Sequence, residues 1–119
     1  MTLNNVYSFG YRAPRFRTDF RLLLQTENGN VSVQNGRCKD ISEDGLAAQF
    51  WSPLEVGTAV TLVLTVPGSS KTMRIAARVT NRHHDFYGFA FIFSCQDQRS
   101  YIHAFVENLH SATLSKPHE

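Results

Sequence analysis

Apolar and polar residues alternate along most of the chain from Phe16 to Phe93, and the period lengthens only after that. Phe20, Leu22 and Leu24 share one parity while Arg21 and Leu23 take the other, which predicts a first strand starting near Phe16. Glu27-Asn28-Gly29-Asn30 is then a hairpin turn, because Asn-Gly tolerates the positive φ angles that a tight two-residue loop demands. Val31 and Val33 open a second strand that continues as residues 37–41, and Gly36 within it predicts a bulge or sharp bend. Residues 46–50 form a third strand, closed by Trp51-Ser52-Pro53. After a turn at Leu54-Glu55-Val56-Gly57, the β-branched run at residues 60–66 makes a fourth, followed by a Pro67-Gly68-Ser69-Ser70 loop. In the fifth, Met73, Ile75, Ala77 and Val79 face the core and Arg74, Arg78 and Arg82 face outward. His83-His84-Asp85 turns the chain into an aromatic sixth strand, Tyr87-Gly88-Phe89-Ala90-Phe91-Ile92-Phe93.

Beyond Ser94 the spacing becomes helical. Ser94 with Asp97 fits a capping box, and Tyr101, Ile102, Phe105, Val106 and Leu109 make one apolar stripe, predicted to plug a barrel mouth. Six short strands and one helix predict an all-β, mainly β domain: a six-stranded antiparallel β-barrel with a C-terminal α-helix. Closure removes the exposed edges that such strands otherwise present. The expected divisions are a flexible arm at residues 1–11, with Pro14 marking where order sets in, a barrel and closing helix at 12–110, and a frayed tail at 111–119.

Composition changes this picture little. The 119 residues carry a net charge of +2 and 42% apolar residues, which fits one modest folded core and gives no general affinity for nucleic acid. The N-terminus lacks the basic and apolar regions of a signal peptide, and no run is long and apolar enough to insert in a membrane, so a cytoplasmic protein is expected. Cys38 and Cys95 are read as free, buried thiols. The motifs of a nucleophile elbow, a Walker loop or a dinucleotide-binding turn are missing, so no enzyme and no catalytic residue is predicted. His83 and His84 are adjacent and His103 and His110 lie seven apart; neither pair chelates well without partners, so neither a metal nor another cofactor is expected. Trp51 and the Phe89, Phe91, Phe93 stripe are assigned to packing, and Glu43-Asp44 to a solvated turn.

Charge distribution is more telling than net charge. Four of the nine arginines, Arg12, Arg15, Arg17 and Arg21, fall within ten residues that hold a single acid, Asp19. Their forked guanidiniums match phosphate oxygens and the O6/N7 edge of guanine. Between the second and third strands lies Lys39-Asp40-Ile41-Ser42-Glu43-Asp44-Gly45-Leu46. Asp40 and Ser42 can bond nearby backbone amides, and Gly45 can take a positive φ. An Asp40 carboxylate can also accept from guanine N1–H and N2–H together, and Ser42 can donate to a phosphate. Arm and turn together would form a guanine and anion site; the plain alternative is a solvated basic segment beside an ordinary turn.

At these residues the sequence resembles the PilZ domain family of cyclic di-GMP receptors. Asp40, Ser42 and Gly45 match its (Asp/Asn)-x-Ser-x-x-Gly motif in full. The Pro14-Arg15 step, Leu54-Glu55-Val56-Gly57, Tyr87-Gly88-Phe89-Ala90-Phe91 and the closing helix look like the family too, over roughly residues 12–109. The sequence departs from the family's Arg-x-x-x-Arg motif: Arg15 takes the place of its second arginine, but Arg12 lies three residues before it and Tyr11 four, and the one literal match near it, Arg17 to Arg21, falls inside the first strand. The resemblance implies that Arg12 and Arg15 clamp phosphate and guanine, that Arg17 substitutes, and that Asp40, Ser42 and Gly45 hold the ligand from the barrel side. It also implies a bacterial second-messenger role in motility, secretion or biofilm exopolysaccharide, relayed to an unidentified effector protein. The alternatives are an adaptor that does not bind the nucleotide and, less supported, a small nucleic-acid binder.

Overall fold

A computed structural model describes residues 13–27 and 31–115, so the expected arm at 1–11, Arg12 and the hairpin tip at 28–30 lie outside the described residues. The strands are β1 (Phe16–Glu27), β2 (Val31–Ile41), β3 (Gly45–Phe50), β4 (Ala59–Leu64), β5 (Met73–His83) and β6 (Phe86–Ile92), followed by α1 (Gln96–Ser115). All pairs are antiparallel, and the sheet closes on itself in the order β1-β2-β3-β6-β5-β4. The expected six-stranded barrel with a C-terminal helix is the observed fold.

Alternation explains the core directly. Phe20, Leu22 and Leu24 from β1, Leu46, Ala48 and Phe50 from β3, Leu62 and Leu64 from β4, and Ile75, Ala77 and Val79 from β5 all point inward and are buried. Helix α1 covers one mouth with Ile102, Phe105 and Val106; the Phe105 ring meets Phe20 edge-on at 5.7 Å between centroids. The Tyr101 hydroxyl accepts from the Val66 amide at 3.0 Å and donates to the Lys71 carbonyl at 2.7 Å, pinning the helix to the loop after β4.

Several local expectations are corrected. Gly36 pairs in register with both Leu22 and Phe50, without a bulge; the irregularities fall instead between Cys38 and Asp40 and between Arg17 and Phe20. Glycine suits position 36 because the Phe50 ring takes the space beside it, 2.2 Å from where a Cβ would sit. The helix starts at Gln96, and Gln98, not Asp97, reaches back to accept from the Ser94 amide at 2.9 Å. It runs on to Ser115, past the end of the apolar stripe, with the Thr113 hydroxyl donating to the Leu109 carbonyl at 3.0 Å. Both cysteines are free, but only Cys38 is buried. Burial holds the Cys38 thiol far above its ordinary pKa, with the Asp40 charge adding to the effect, so it is an inert packing group. Cys95 is exposed because it precedes the helix, outside the barrel wall. Trp51 is 86% exposed: Phe50 takes the inward position, and parity sends the next side chain out.

Candidate functional site

Ser42 is the buried centre of the turn between β2 and β3. Its amide donates to the Gly45 carbonyl at 2.8 Å, and its hydroxyl oxygen accepts from the Asp44 and Gly45 amides at 3.3 and 3.2 Å. The hydroxyl hydrogen goes to Asp44 Oδ1 at 2.6 Å. The serine is therefore fully buried yet satisfied on every side, which is what a buried hydroxyl requires. Gly45 does not adopt the positive φ expected of it; among the described glycines only Gly57 and Gly68 do. Its requirement is closeness. Gly45 pairs with Ala90 on β6, and a Cβ there would lie 2.2 Å from the Phe89 carbonyl oxygen. The turn thus seals the seam between β3 and β6.

Asp40 stands at the end of β2, beyond the irregularity at Cys38, where it faces Arg17 on β1 in register. It does not bond the backbone of the turn. Its Oδ1 instead accepts from Arg15 Nη1 at 2.7 Å, a pair with side chains 37% and 32% exposed. Arg17, across from Asp40, is exposed. Arg15, Asp44 and Gly45, with Ala13, Thr80, Asn81 and the β6 backbone around Ala90, line an open groove of about 570 Å³. Of the six residues singled out from the sequence, Arg15 and Gly45 line the groove, Asp40 joins it through Arg15, Ser42 lies buried behind Gly45 and Arg17 faces Asp40 across the β1–β2 pair, while Arg12 lies outside the described residues.

The groove has walls that were not singled out from the sequence. Thr80 and Asn81 sit where β5 slips register against β6, and the Asn81 amide occupies the space over Gly88 where a Cβ would be. The signal available for them was Gly88 in the middle of an aromatic strand, a position that admits a close neighbour. On the far side of the turn, Glu43 Oε1 lies 3.1 Å from His103 Nδ1 on α1. The hydrogen bond and charge of Glu43 raise the His103 pKa above its ordinary value. Glu107, one helical turn beyond His103, brings a third donor, and the three ligand atoms lie within 4.8 Å of one another. These are the described residues best placed to hold a metal ion, all of them solvated.

Among the described residues no helix is long and apolar enough to cross a membrane. The family model for the PilZ domain matches residues 11–108. The chain belongs to the PilZ domain family. No curated protein matches it closely. Among solved structures, this PilZ domain is similar to the PilZ domain with c-di-GMP of YcgR from Escherichia coli, at TM-score 0.68 and 15% identity over 90% of this chain and 96% of that one. It is also similar to the K. pneumonia MrkH–c-di-GMP complex, at TM-score 0.69 and 20% identity over 90% and 55% of the two chains. The Bacillus subtilis inhibitor of motility, MotI/DgrA, matches at TM-score 0.60 and 18% identity over 91% and 54%. At these identities the likeness is one of fold.

Proposed function

We propose that this PilZ domain is a cytoplasmic receptor, without catalytic activity, that binds cyclic di-GMP in the groove beside residues 40–45. The observation that carries the reading is the Arg15–Asp40 pair at the groove's rim, where a guanine-reading carboxylate and a phosphate-reading guanidinium stand 2.7 Å apart. Two of the similar structures, the PilZ domain of YcgR and MrkH, are complexes with c-di-GMP. A half-exposed ion pair contributes at most about 1 kcal/mol, so a ligand offering both groups better partners displaces it readily. Asp40 then accepts from guanine N1–H and N2–H, and Arg15 swings to phosphate or to the guanine O6/N7 edge. Arg17 faces Asp40 across the β1–β2 pair and adds a second cation, with Arg12 a third from the arm. Ser42 acts first by holding the turn; for its hydroxyl to donate to a phosphate, Asp44 must turn away. Drawing the arginines onto the bound nucleotide against the barrel would create the surface that an effector protein reads.

Calorimetry with cyclic di-GMP tests this. Saturable binding in the sub- to low-micromolar range is expected, weakened by roughly ten- to a hundredfold in Asp40→Ala and in Arg15→Ala, as each lost bidentate contact is worth about 1–3 kcal/mol. The absence of heat at high micromolar ligand would refute it. A second reading, an adaptor that works without the nucleotide, is favoured by the Arg12–Arg15 spacing, one residue shorter than the family's motif. That reading predicts the same null calorimetry together with retained binding to the effector.

A further inference from the structure

Strands β2 and β3 carry the proposed nucleotide site at one end and a very different surface at the other. There Trp51 follows the last residue of β3 with 86% of its surface exposed, and Phe86, which starts β6 opposite Gln49, is 41% exposed. An indole left in water sacrifices burial that the fold could otherwise use, and one so exposed marks a contact surface. Beside Trp51 the surface dips into a shallow, open groove. Arg21, Asn35, Gly36, Arg37, Gln49 and Trp51 line a groove of about 220 Å³.

Charge indicates the occupant. Arg21 on β1 and Arg37 on β2 are directly opposite each other in register, and like charges facing across strands cost stability. Arg37 is relieved by Asp19, which accepts from it at 2.7 Å and from Lys39 at 3.2 Å. Those two bonds hold the Asp19 carboxyl below its ordinary pKa, so this acid is already committed. Arg21 is exposed and has no ion pair among the described residues. On the opposite side Asp85 is held by Gln49 Nε2 at 2.7 Å. The groove therefore presents an unpaired cation beside an unpaired indole, the two side-chain types that dominate the energetics of protein contacts.

We propose that this face docks an acidic segment of a partner protein, which sets a carboxylate against Arg21 and an apolar side chain against Trp51. The groove is small and offers one unpaired cation and one indole, which suits a short acidic segment better than the array of cations that holds an anionic membrane or the row of exposed aromatics that stacks single-stranded nucleic acid. The proposal stands whether or not the nucleotide binds.

Trp51 is the only tryptophan in the chain, so its fluorescence reports on this groove alone. The probe is a synthetic peptide of alternating glutamate and leucine, compared with its lysine–leucine counterpart, anionic phosphatidylserine vesicles and a single-stranded oligonucleotide. The expected result is a saturable blue shift with the glutamate peptide, diminished by salt and weakened at least about tenfold in Arg21→Glu. In Trp51→Gln, NMR shifts at Arg21 and Arg37 should need at least about tenfold more peptide. Both variants change exposed side chains, and circular dichroism checks their folding. No saturable shift at millimolar glutamate peptide, an equal response to the lysine peptide, or a response to vesicles or oligonucleotide alone would overturn the proposal. So would an Arg21→Glu protein that binds as tightly as the parent. The cyclic di-GMP calorimetry of Asp40→Ala is independent of all these outcomes.

Discussion

Two glycines show how a hydrogen in place of a side chain decides the packing. The space beside Gly36 is filled by the Phe50 ring and the space beside Gly45 by the Phe89 carbonyl. A ring can tilt; a carbonyl in a paired strand cannot move without its ladder. Gly45→Ala is therefore expected to push β3 from β6 and to destabilise by about 1–3 kcal/mol, the usual cost of overpacking. A urea midpoint unchanged from the parent would contradict this. The need for glycine at position 45 was legible in the sequence, but its cause was not, since a positive φ and a close neighbour both select the same residue. Trp51 shows the opposite failure. Aromatic residues are usually buried, yet the parity of Leu46, Ala48 and Phe50 already directed position 51 outward, and local alternation outweighed residue type.

Between elements, the turn after β2 and helix α1 are coupled through Glu43 and His103, sixty residues apart. His103 has its pKa raised in the folded protein by the Glu43 hydrogen bond and charge. The stabilising contribution of this contact is thus full below the unfolded value of about 6.5 and disappears as pH rises through the higher folded value. An NMR titration of the His103 ring should give a pKa above 6.5, falling toward the ordinary value in Glu43→Gln, where the Glu107 charge remains; identical titrations would show that the two groups do not interact. No spacing rule reveals a contact of this kind. The helical stripe located the helix through Leu109, because tertiary burial leaves a periodic trace. Its continuation to Ser115 leaves none, since that last stretch buries no side chain against the barrel among the described residues.

At the scale of the molecule, the barrel was legible because six alternating segments with turn signals between them have few ways to bury every apolar face. The site was legible only in part: Asp40, Ser42 and Gly45 are close in sequence, whereas Arg15 meets Asp40 through the register of β1 on β2, including an irregularity between Arg17 and Phe20. A ligand that binds only the folded barrel should stabilise all of it. With cyclic di-GMP at a hundred times its dissociation constant, the gain is about 2.7 kcal/mol and the rise in Tm on the order of 10 °C. Calorimetric scans with and without ligand measure it, and Asp40→Ala should lose most of the rise. The contrast between the two cysteines has a practical consequence. Cys38 is sealed in the core and chemically inert, whereas Cys95 is open to reagents at the foot of α1. A maleimide dye placed there without any mutation would pair with the lone indole at position 51, giving the wild-type chain its own optical ruler. Energy transfer along that ruler would follow the closing helix relative to the barrel wall as ligands are added.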